Sequence, residues 1–390
     1  MQTCKRCLYN DYHPLGLLIN DNALCSGCET HEEKDILDWK KRKYEFEALI
    51  DYQKKQSKNP TYDCVIPITG DAEDFFVVGK VLEFGLNPLL VCVNDYFKNE
   101  IGWKNIQTLI THYDVDSFLF NPDIRDYKEL IKTSLRKFDN IRLPYLLAHT
   151  AFPVHVAIER KINLVIWGQL QAIEQVGKFS HKNNVEMTKW SRREHDTIGQ
   201  SFSNLIGTGA QINLNRITNY YQYPKATTAL EKLKGVYLSN YFRWDPLTQN
   251  KSSVENGFTP QTNFHSFDIY ERAGCSVYYG IHDLLKLKNH GYRKVRDHLT
   301  REIRHGRVSR EAAVQIEKLY SLNKINIKPF FDWLGVSHTG YEWFIEHRLV
   351  SVKESIGPTH ENIETPKIFE NYLSPSECPK QEFLNFYKGI

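Results

Sequence analysis

The chain has 390 residues, 41% hydrophobic and 25% charged, with 50 basic against 47 acidic residues and a formal charge of +3. These values exclude a disordered, collagen-like or simple coiled-coil chain and leave ample sequence for a core. They also lack the basic excess or stripe of a dedicated nucleic-acid binder, and no run of about 18–20 uncharged apolar residues is long enough to span a membrane.

The first residues, Met1-Gln2-Thr3-Cys4-Lys5-Arg6, have no apolar core of a secretion signal, so a cytoplasmic protein is expected. Cys4-x-x-Cys7 and Cys25-x-x-Cys28 are two knuckles at a separation that suits a tetrahedral thiolate site. Four Cys ligands leave no open position, so the reading is a structural zinc ion stapling a lobe over residues 1–30. The alternatives are two disulfides or four free thiols, and disulfides need an oxidising compartment that nothing here supports. Cys64 and Cys92 sit in apolar runs and read as buried thiols. Cys275, in Ala273-Gly274-Cys275-Ser276, has no neighbouring signature of a nucleophile, and Cys378 is isolated.

Residues 31–60 read as a linking amphipathic helix, with Ile36, Trp39, Phe46 and Ile50 at helical spacing and Lys58-Asn59-Pro60 as its stop. Strands and helices then alternate over residues 61–180. Strands are expected at Asp63–Thr69, Pro88–Val93, Val115–Phe120 and Asn163–Trp167, and helices at Phe75–Phe84, Ile101–Tyr113, Asp126–Phe138 and Pro153–Arg160. That alternation predicts an α/β domain with a parallel sheet covered on both faces. Ligands of such sheets sit at the carboxyl ends of the strands, which places a site near Thr69-Gly70-Asp71, Asn94-Asp95 and Trp167-Gly168-Gln169. Residues 181–350 turn polar and aromatic and then mainly helical, with Ser309 as the N-cap of a helix through Tyr320 and one or two helices over Phe330–Leu349. Residues 351–390, with Pro358, Pro366, Pro375 and Pro379, read as a loosely packed tail, and Gly207-Thr208-Gly209 as a loop.

Several blocks carry a resemblance in order along the chain: Cys4-Lys5-Arg6-Cys7, Tyr62–Pro67, Gly85–Val91, Val165-Ile166-Trp167-Gly168, Gly235–Ser239, Gly280–Asp283 and Gly291–Arg307. From Cys4 to about Ile345 the chain resembles the N-acetyl sugar amidotransferases of bacterial surface-polysaccharide synthesis. These look like PP-loop ATP pyrophosphatases, a Rossmann-like fold, preceded by a zinc knuckle. The resemblance implies conversion of a sugar acetamido group to an acetamidino group in O-antigen or nonulosonic-acid synthesis. ATP with magnesium would activate the amide oxygen, and ammonia would displace AMP.

No glutaminase signature occurs in this chain. The resemblance therefore implies a separate glutaminase and an ammonia-channelling barrel subunit, both similar to imidazole-glycerol-phosphate synthase. It also implies an anionic sugar substrate. In the family the first turn reads Ser-Gly-Gly-Lys-Asp-Ser and cradles pyrophosphate. Here it is Thr69-Gly70-Asp71-Ala72-Glu73-Asp74, so three carboxylates stand where a polyanion would bind. Asp71, Glu73 and Asp74 are either an N-cap with first-turn acids complementing the helix dipole or a rewired nucleotide or cation site. Gln169 replaces an acidic residue, and Leu146-Leu147 fall where a Cys pair is common.

The resemblance makes Thr69, Gly70, Asp71, Asp74, Asn94, Trp167 and Gly168 the nucleotide-binding candidates, and Glu174 and Asp74 the catalytic ones. His149, Gln169, His282, Tyr292, Lys294, His298, Arg304 and Arg307 are the candidates for sugar binding, since Arg recognises phosphate or carboxylate with two parallel bonds. The local alternative is a solvated helix with intrahelical pairs such as His298 with Glu302. Two other readings stand beside the enzyme: a non-catalytic paralogue serving as a binding or assembly subunit, and a PP-loop tRNA-modifying enzyme.

Overall fold

The computed structural model describes residues 2–206, 220–225, 227–262, 265–275 and 277–359. The expected loop Gly207-Thr208-Gly209, Ser276, Cys378 and the tail prolines from Pro366 onward lie outside them.

Five strands form one all-parallel sheet in the order β3-β2-β1-β4-β5. They are β1 (Cys64–Ile68), β2 (Pro88–Val93), β3 (Ser117–Phe120), β4 (Leu164–Trp167) and β5 (Lys234–Tyr237). Side chains alternate across each strand, so the sheet feeds two cores. Cys64, Ile66, Ile68, Leu90, Cys92, Leu164, Ile166 and Val236 face one core, with Phe46, Phe75 and Trp244. Val65, Leu89, Val91, Val93, Val165, Trp167 and Tyr237 face the other, with Tyr127, Ala148 and Phe152. Burial on both faces explains why β1, β2 and β4 are continuous apolar runs. Each such side chain contributes roughly 1.5–3 kcal/mol.

Helices α1 (Ser26–Ile36) and α2 (Trp39–Gln56) replace the single helix expected over this region. The chain breaks at Leu37-Asp38, where the Asp38 carboxylate caps α2 by accepting from Lys41 N–H at 3.0 Å. Ile36 therefore points to solvent while Phe46 and Ile50 are buried. Helices α3 (Ala72–Glu83), α4 (Glu100–Tyr113) and α5 (Ile124–Phe138) agree with the expected elements. Helix α6 (Leu143–Glu159) starts ten residues before the helix expected from Pro153, which the structure holds inside α6. Proline lacks only one donor there, and the apolar run from Leu143 packs on β1 and β2, outweighing the break.

Short helices α7 (Gln171–Glu174), α8 (Lys189–His195), α9 (Phe202–Leu205) and α10 (Thr228–Lys232) follow, then α11 (Pro246–Glu255). Strand β5, four residues long within the polar stretch, is an element that the sequence reading passes over. The remaining helices are α12 (Gly280–His290), α13 (Lys294–Arg304), α14 (Arg310–Ser321), α15 (Lys328–Leu334) and α16 (His338–Arg348). Ser309 caps α14 as expected, accepting from Ala312 N–H at 3.2 Å. The first residues of the expected loose tail are ordered into structure. Val350–Ser355 form a 3₁₀ helix with Val352 buried, and Ile356 bridges Ile325.

Candidate functional site

The four knuckle cysteines are fully buried, and their sulfurs lie within 4.8 Å of one another. Cys4 and Cys28 sulfurs are 3.9 Å apart, and Cys7 and Cys25 sulfurs 3.6 Å. A tetrahedral zinc–thiolate site with bonds of about 2.3 Å requires a separation of about 3.8 Å, so the four residues fit a metal such as zinc. The lobe is fastened to the rest of the chain. Ser26 Oγ donates to Val176 O at 2.6 Å, and Arg310 Nε to Cys7 O at 3.3 Å.

Arg304 is part of this centre. Its guanidinium donates to Glu174 O at 3.1 Å and Gln175 O at 2.8 Å, and reaches Cys25 Sγ at 3.7 Å. Burial works against its charge, but the Cys7, Cys28 and Cys25 sulfurs outweigh it and hold the proton more firmly than usual. A charge of that sign beside four thiolates is what a buried tetrathiolate site needs.

Next to the lobe, a cleft opens over the carboxyl edge of the sheet. Its walls come from four places: Tyr9, His31 and Lys34 from the lobe and α1; Asp71, Ala72 and Glu73 from the turn after β1; Gln169, Glu174 and Gln175 from the chain after β4; and residues between Trp244 and His305.

The turn after β1 is a closed arrangement. Asp71 is the N-cap residue of α3. The Asp74 carboxylate accepts from the backbone N–H groups of Thr69 at 2.7 Å, Gly70 at 2.6 Å and Asp71 at 3.2 Å, and from Thr69 Oγ1 at 3.2 Å. The N–H groups that would cradle a phosphate thus already hold an anion, one supplied by the chain itself. The residues do not fit a pyrophosphate in this nest while Asp74 is there.

Glu73 ties the turn to β4. Its carboxylate accepts Gln169 N–H at 2.8 Å and lies so close to Gly168 that a Cβ there would meet it at 1.9 Å. Only glycine admits that approach. Burial, then Asp74 and Glu271, pushes Asp71 up to about 7. Burial, opposed by the Gln169 N–H and reinforced by Asp74 and Asp71, pushes Glu73 up to about 8. Burial, opposed by the Thr69 and Gly70 N–H groups, pushes Asp74 up to about 6.

Across the cleft, Glu271 links His298 and Lys294, accepting His298 Nε2 at 2.8 Å and pairing with Lys294 Nζ at 2.6 Å. Asp268 pairs with Arg301 at 2.6 Å. Asp268, Glu271 and His298 are close enough to share a metal, but Lys294 and Arg301 already neutralise them. His298 pairs with Glu271, and not with Glu302 as the intrahelical alternative had it; Glu302 holds Arg301 at 2.6 Å and Arg307 at 3.0 Å.

Of the residues singled out from sequence, Asp71, Glu73, Gln169, Glu174, Lys294, His298 and Arg304 line the cleft. Glu174 is bound to Lys34 and lies 3.4 Å from His181. Thr69, Gly70 and Asp74 lie in the turn after β1 and Gly168 just after β4, none of them among the residues that line the cleft. Asn94 is buried in the turn after β2, where it donates to Asn121 at 2.9 Å. Trp167 donates to Met187 Sδ at 2.9 Å and lies under the Arg192 guanidinium at 3.6 Å. His149 stacks on Tyr145 and meets the edge of Trp167. His282 meets Tyr279, Tyr292 is buried against Tyr9 and His13, and Arg307 pairs with Asp245. Cys275 is half-buried, and burial with Asp71 and Asp95 pushes its thiol up to about 12, against a nucleophile.

Sequence reasoning passed over His31, Lys34, Glu271 and Arg301. The first two carry a faint signal, because Cys28, His31 and Lys34 recur three apart on one buried face of α1.

The wall carrying Glu271, Lys294 and His298 has known counterparts. Residues 261–354 match the WbpG-like C-terminal domain of LPS biosynthesis proteins. That match associates this part of the chain with LPS biosynthesis, and it fits the resemblance to the sugar amidotransferases. The chain is also 24% identical over 135 residues to the uncharacterized protein MJ1599 of Methanocaldococcus jannaschii, a stretch covering 34% of this chain and 47% of that relative. Among solved structures, NMN synthetase from Francisella tularensis aligns with 58% of this chain and 99% of its own, at 14% identity and a TM-score of 0.28.

Proposed function

We propose that the protein is an amidotransferase-like enzyme of surface-polysaccharide biosynthesis, converting the acetamido group of an anionic sugar to an acetamidino group in the cleft. One observation carries this reading. Asp71, Glu73 and Gln169 from the sheet edge and Lys294 and His298 from the WbpG-like segment line the same space. Lys294 would meet the sugar's anionic group, sharing its charge with Glu271. Asp71 and Glu73, with pKa values pushed up to about 7 and about 8, would take the proton that ammonia loses as it bonds to the amide carbon and the ATP-activated oxygen leaves with AMP. The ammonia would come from a separate glutaminase through a barrel subunit. The walls would exclude water from the activated carbon.

A second reading has its own observation. Asp74 fills the backbone nest where ATP would be held, which favours a paralogue that binds or assembles without ATP chemistry at this turn. One experiment separates the two. The protein is incubated with diacetamido nucleotide sugars, ammonium, ATP and magnesium, and the products are read by mass spectrometry. Exchange of a carbonyl oxygen for NH, abolished by Glu73→Gln, establishes the enzyme. A sugar that binds and returns unchanged establishes the binding subunit.

A further inference from the structure

A second polar constellation lies on the other side of the turn after β1. It is built on Arg142, Arg272 and Tyr279. Arg142 precedes α6, whose N-terminus is already capped by Asn140 Oδ1, which accepts the Arg142 N–H at 2.8 Å and the Leu143 N–H at 3.1 Å; Tyr279 ends a 3₁₀ turn, Val277–Tyr279, that runs directly into α12. The Arg142 guanidinium lies 5.3 Å and that of Arg272 4.1 Å from the Tyr279 ring centroid, so two cations meet on one ring. Both arginines are half-buried. Among the described residues neither makes a salt bridge or side-chain hydrogen bond; their contacts are with the rings of Tyr145 and Tyr279.

The carboxylates facing the pair are engaged elsewhere. Asp95 pairs with Lys98 at 3.1 Å, and Glu271 with Lys294 and His298. Asp71, the third, is pushed toward its neutral form by burial and by Asp74 and Glu271. His282, on the edge of Tyr279, is held neutral by burial and by the charges of Arg272 and Arg142.

The placement of Arg272 is enforced. Its backbone is left-handed, with φ of 63°, which for arginine costs energy that the surroundings must supply. They do so through the bridge of Lys98 to Cys275 and the bond from Asn99 N–H to Gly274 O at 2.7 Å. A guanidinium is strained into position, stacked on a ring and left without an anion. Arginine forks bind phosphate oxygens with two parallel bonds.

We propose that Arg142 and Arg272 form a phosphate-anhydride site that binds the diphosphate of a nucleotide. The site is distinct from the nest filled by Asp74 and does not depend on the amidination reading.

The test is calorimetric titration of the full-length protein with inorganic pyrophosphate, ATP and a uridine-diphosphate sugar, in wild type, Arg142→Gln, Arg272→Gln and the exposed control Arg125→Gln. Wild type and the control are expected to bind pyrophosphate alike, and each of the other variants at least about tenfold more weakly, as for loss of a charged hydrogen-bond donor. The tighter of the two nucleotides identifies the source of the diphosphate. If a glutamine variant loses its cooperative melt, its lysine counterpart is read instead, since it keeps the charge and loses the fork; weaker binding is again expected. Absence of binding to wild type at millimolar pyrophosphate overturns the proposal. So does unchanged affinity in folded variants at both arginines.

Discussion

The Asp74 carboxylate accepts the Gly70 backbone N–H at 2.6 Å, so the turn that leads from β1 into α3 carries its own anion. The contact fixes the order of events for any phosphate meant for this turn, because Asp74 must leave first. Asp74→Ala removes the acceptor for three backbone N–H groups, that of Gly70 buried, and is expected to lower stability by about 1–3 kcal/mol. Inorganic phosphate should recover part of that loss by binding the emptied nest, raising the melting temperature of the variant more than that of wild type. Thermal melts with and without phosphate check this; equal shifts would show that the nest does not take anions once freed.

The acids of this turn also set a pH dependence. Glu73 is raised from 4.5 to about 8, chiefly by burial. An acid raised in the fold binds its proton more tightly in the native than in the unfolded chain. The stability it contributes is therefore complete below about pH 4.5 and is lost as pH rises through about 8. Buried histidines such as His13 and His31, lowered by burial, act in the opposite direction below neutrality, so the whole-protein profile mixes signs. The difference between Glu73→Gln and wild type isolates one group. It should grow in favour of the variant from pH 5 to 8, by a few kcal/mol at about 1.4 kcal/mol per pKa unit. Denaturation curves across that range are the measurement, and a difference that stays flat with pH refutes the assignment.

How far the sequence reaches depends on what each element asks of it. Strands β1, β2 and β4 are legible because burial on both faces leaves an unbroken apolar run between turn residues. Strand β5 is not, because Lys234-Gly235-Val236-Tyr237 is too short and mixed to stand out, and its partner Leu164–Trp167 alone makes it a strand. In α6, Pro153 reads as a helix start when only local propensity is weighed, and packing overrides it. In sequence the turn Thr69–Asp74 fits capping and ligand binding equally, and its hydrogen bonds are those of a cap. The cleft was half legible. Gln169 follows from strand-end logic and Lys294 from the resemblance, whereas Lys34 and Glu174 meet across 140 residues with no shared pattern.

The cysteine lobe leads to a prediction about metal. The protein as purified should contain one zinc ion per chain, and Cys7→Ser should lose it. Because the lobe packs on Val176 and on α13 and α14, the loss should spread beyond residues 2–30 and cost more than about 4 kcal/mol. Arg304→Gln keeps the four sulfurs but removes the buried charge beside them. It should release zinc to a chelator faster than wild type while binding the same amount at equilibrium. Elemental analysis with a timed chromogenic chelator distinguishes the two variants, and wild-type release kinetics in Arg304→Gln would remove Arg304 from the centre.

A crossing of two glycines holds Arg272 where it is. A Cβ on Gly102, near the start of α4, would lie 2.6 Å from Gly274 O, and one on Gly274 would lie 2.2 Å from Gly102 Cα. Gly274 also has φ of +84°, so alanine there adds backbone strain to the clash. Both obstacles are main chain and cannot rotate away. Gly102→Ala is therefore expected to cost about 1–3 kcal/mol and Gly274→Ala more. The double variant should cost less than the sum, because the first substitution already separates loop from helix. Neither glycine has a side chain to touch an anion, yet separating loop from helix at this crossing releases the bond from Asn99 to Gly274 and with it the position of Arg272. Pyrophosphate affinity should fall in Gly102→Ala at a temperature where the variant is fully folded. Titration there, beside a melt of the same sample, separates misplacement of Arg272 from global unfolding; wild-type affinity would mean that the crossing does not position the arginine.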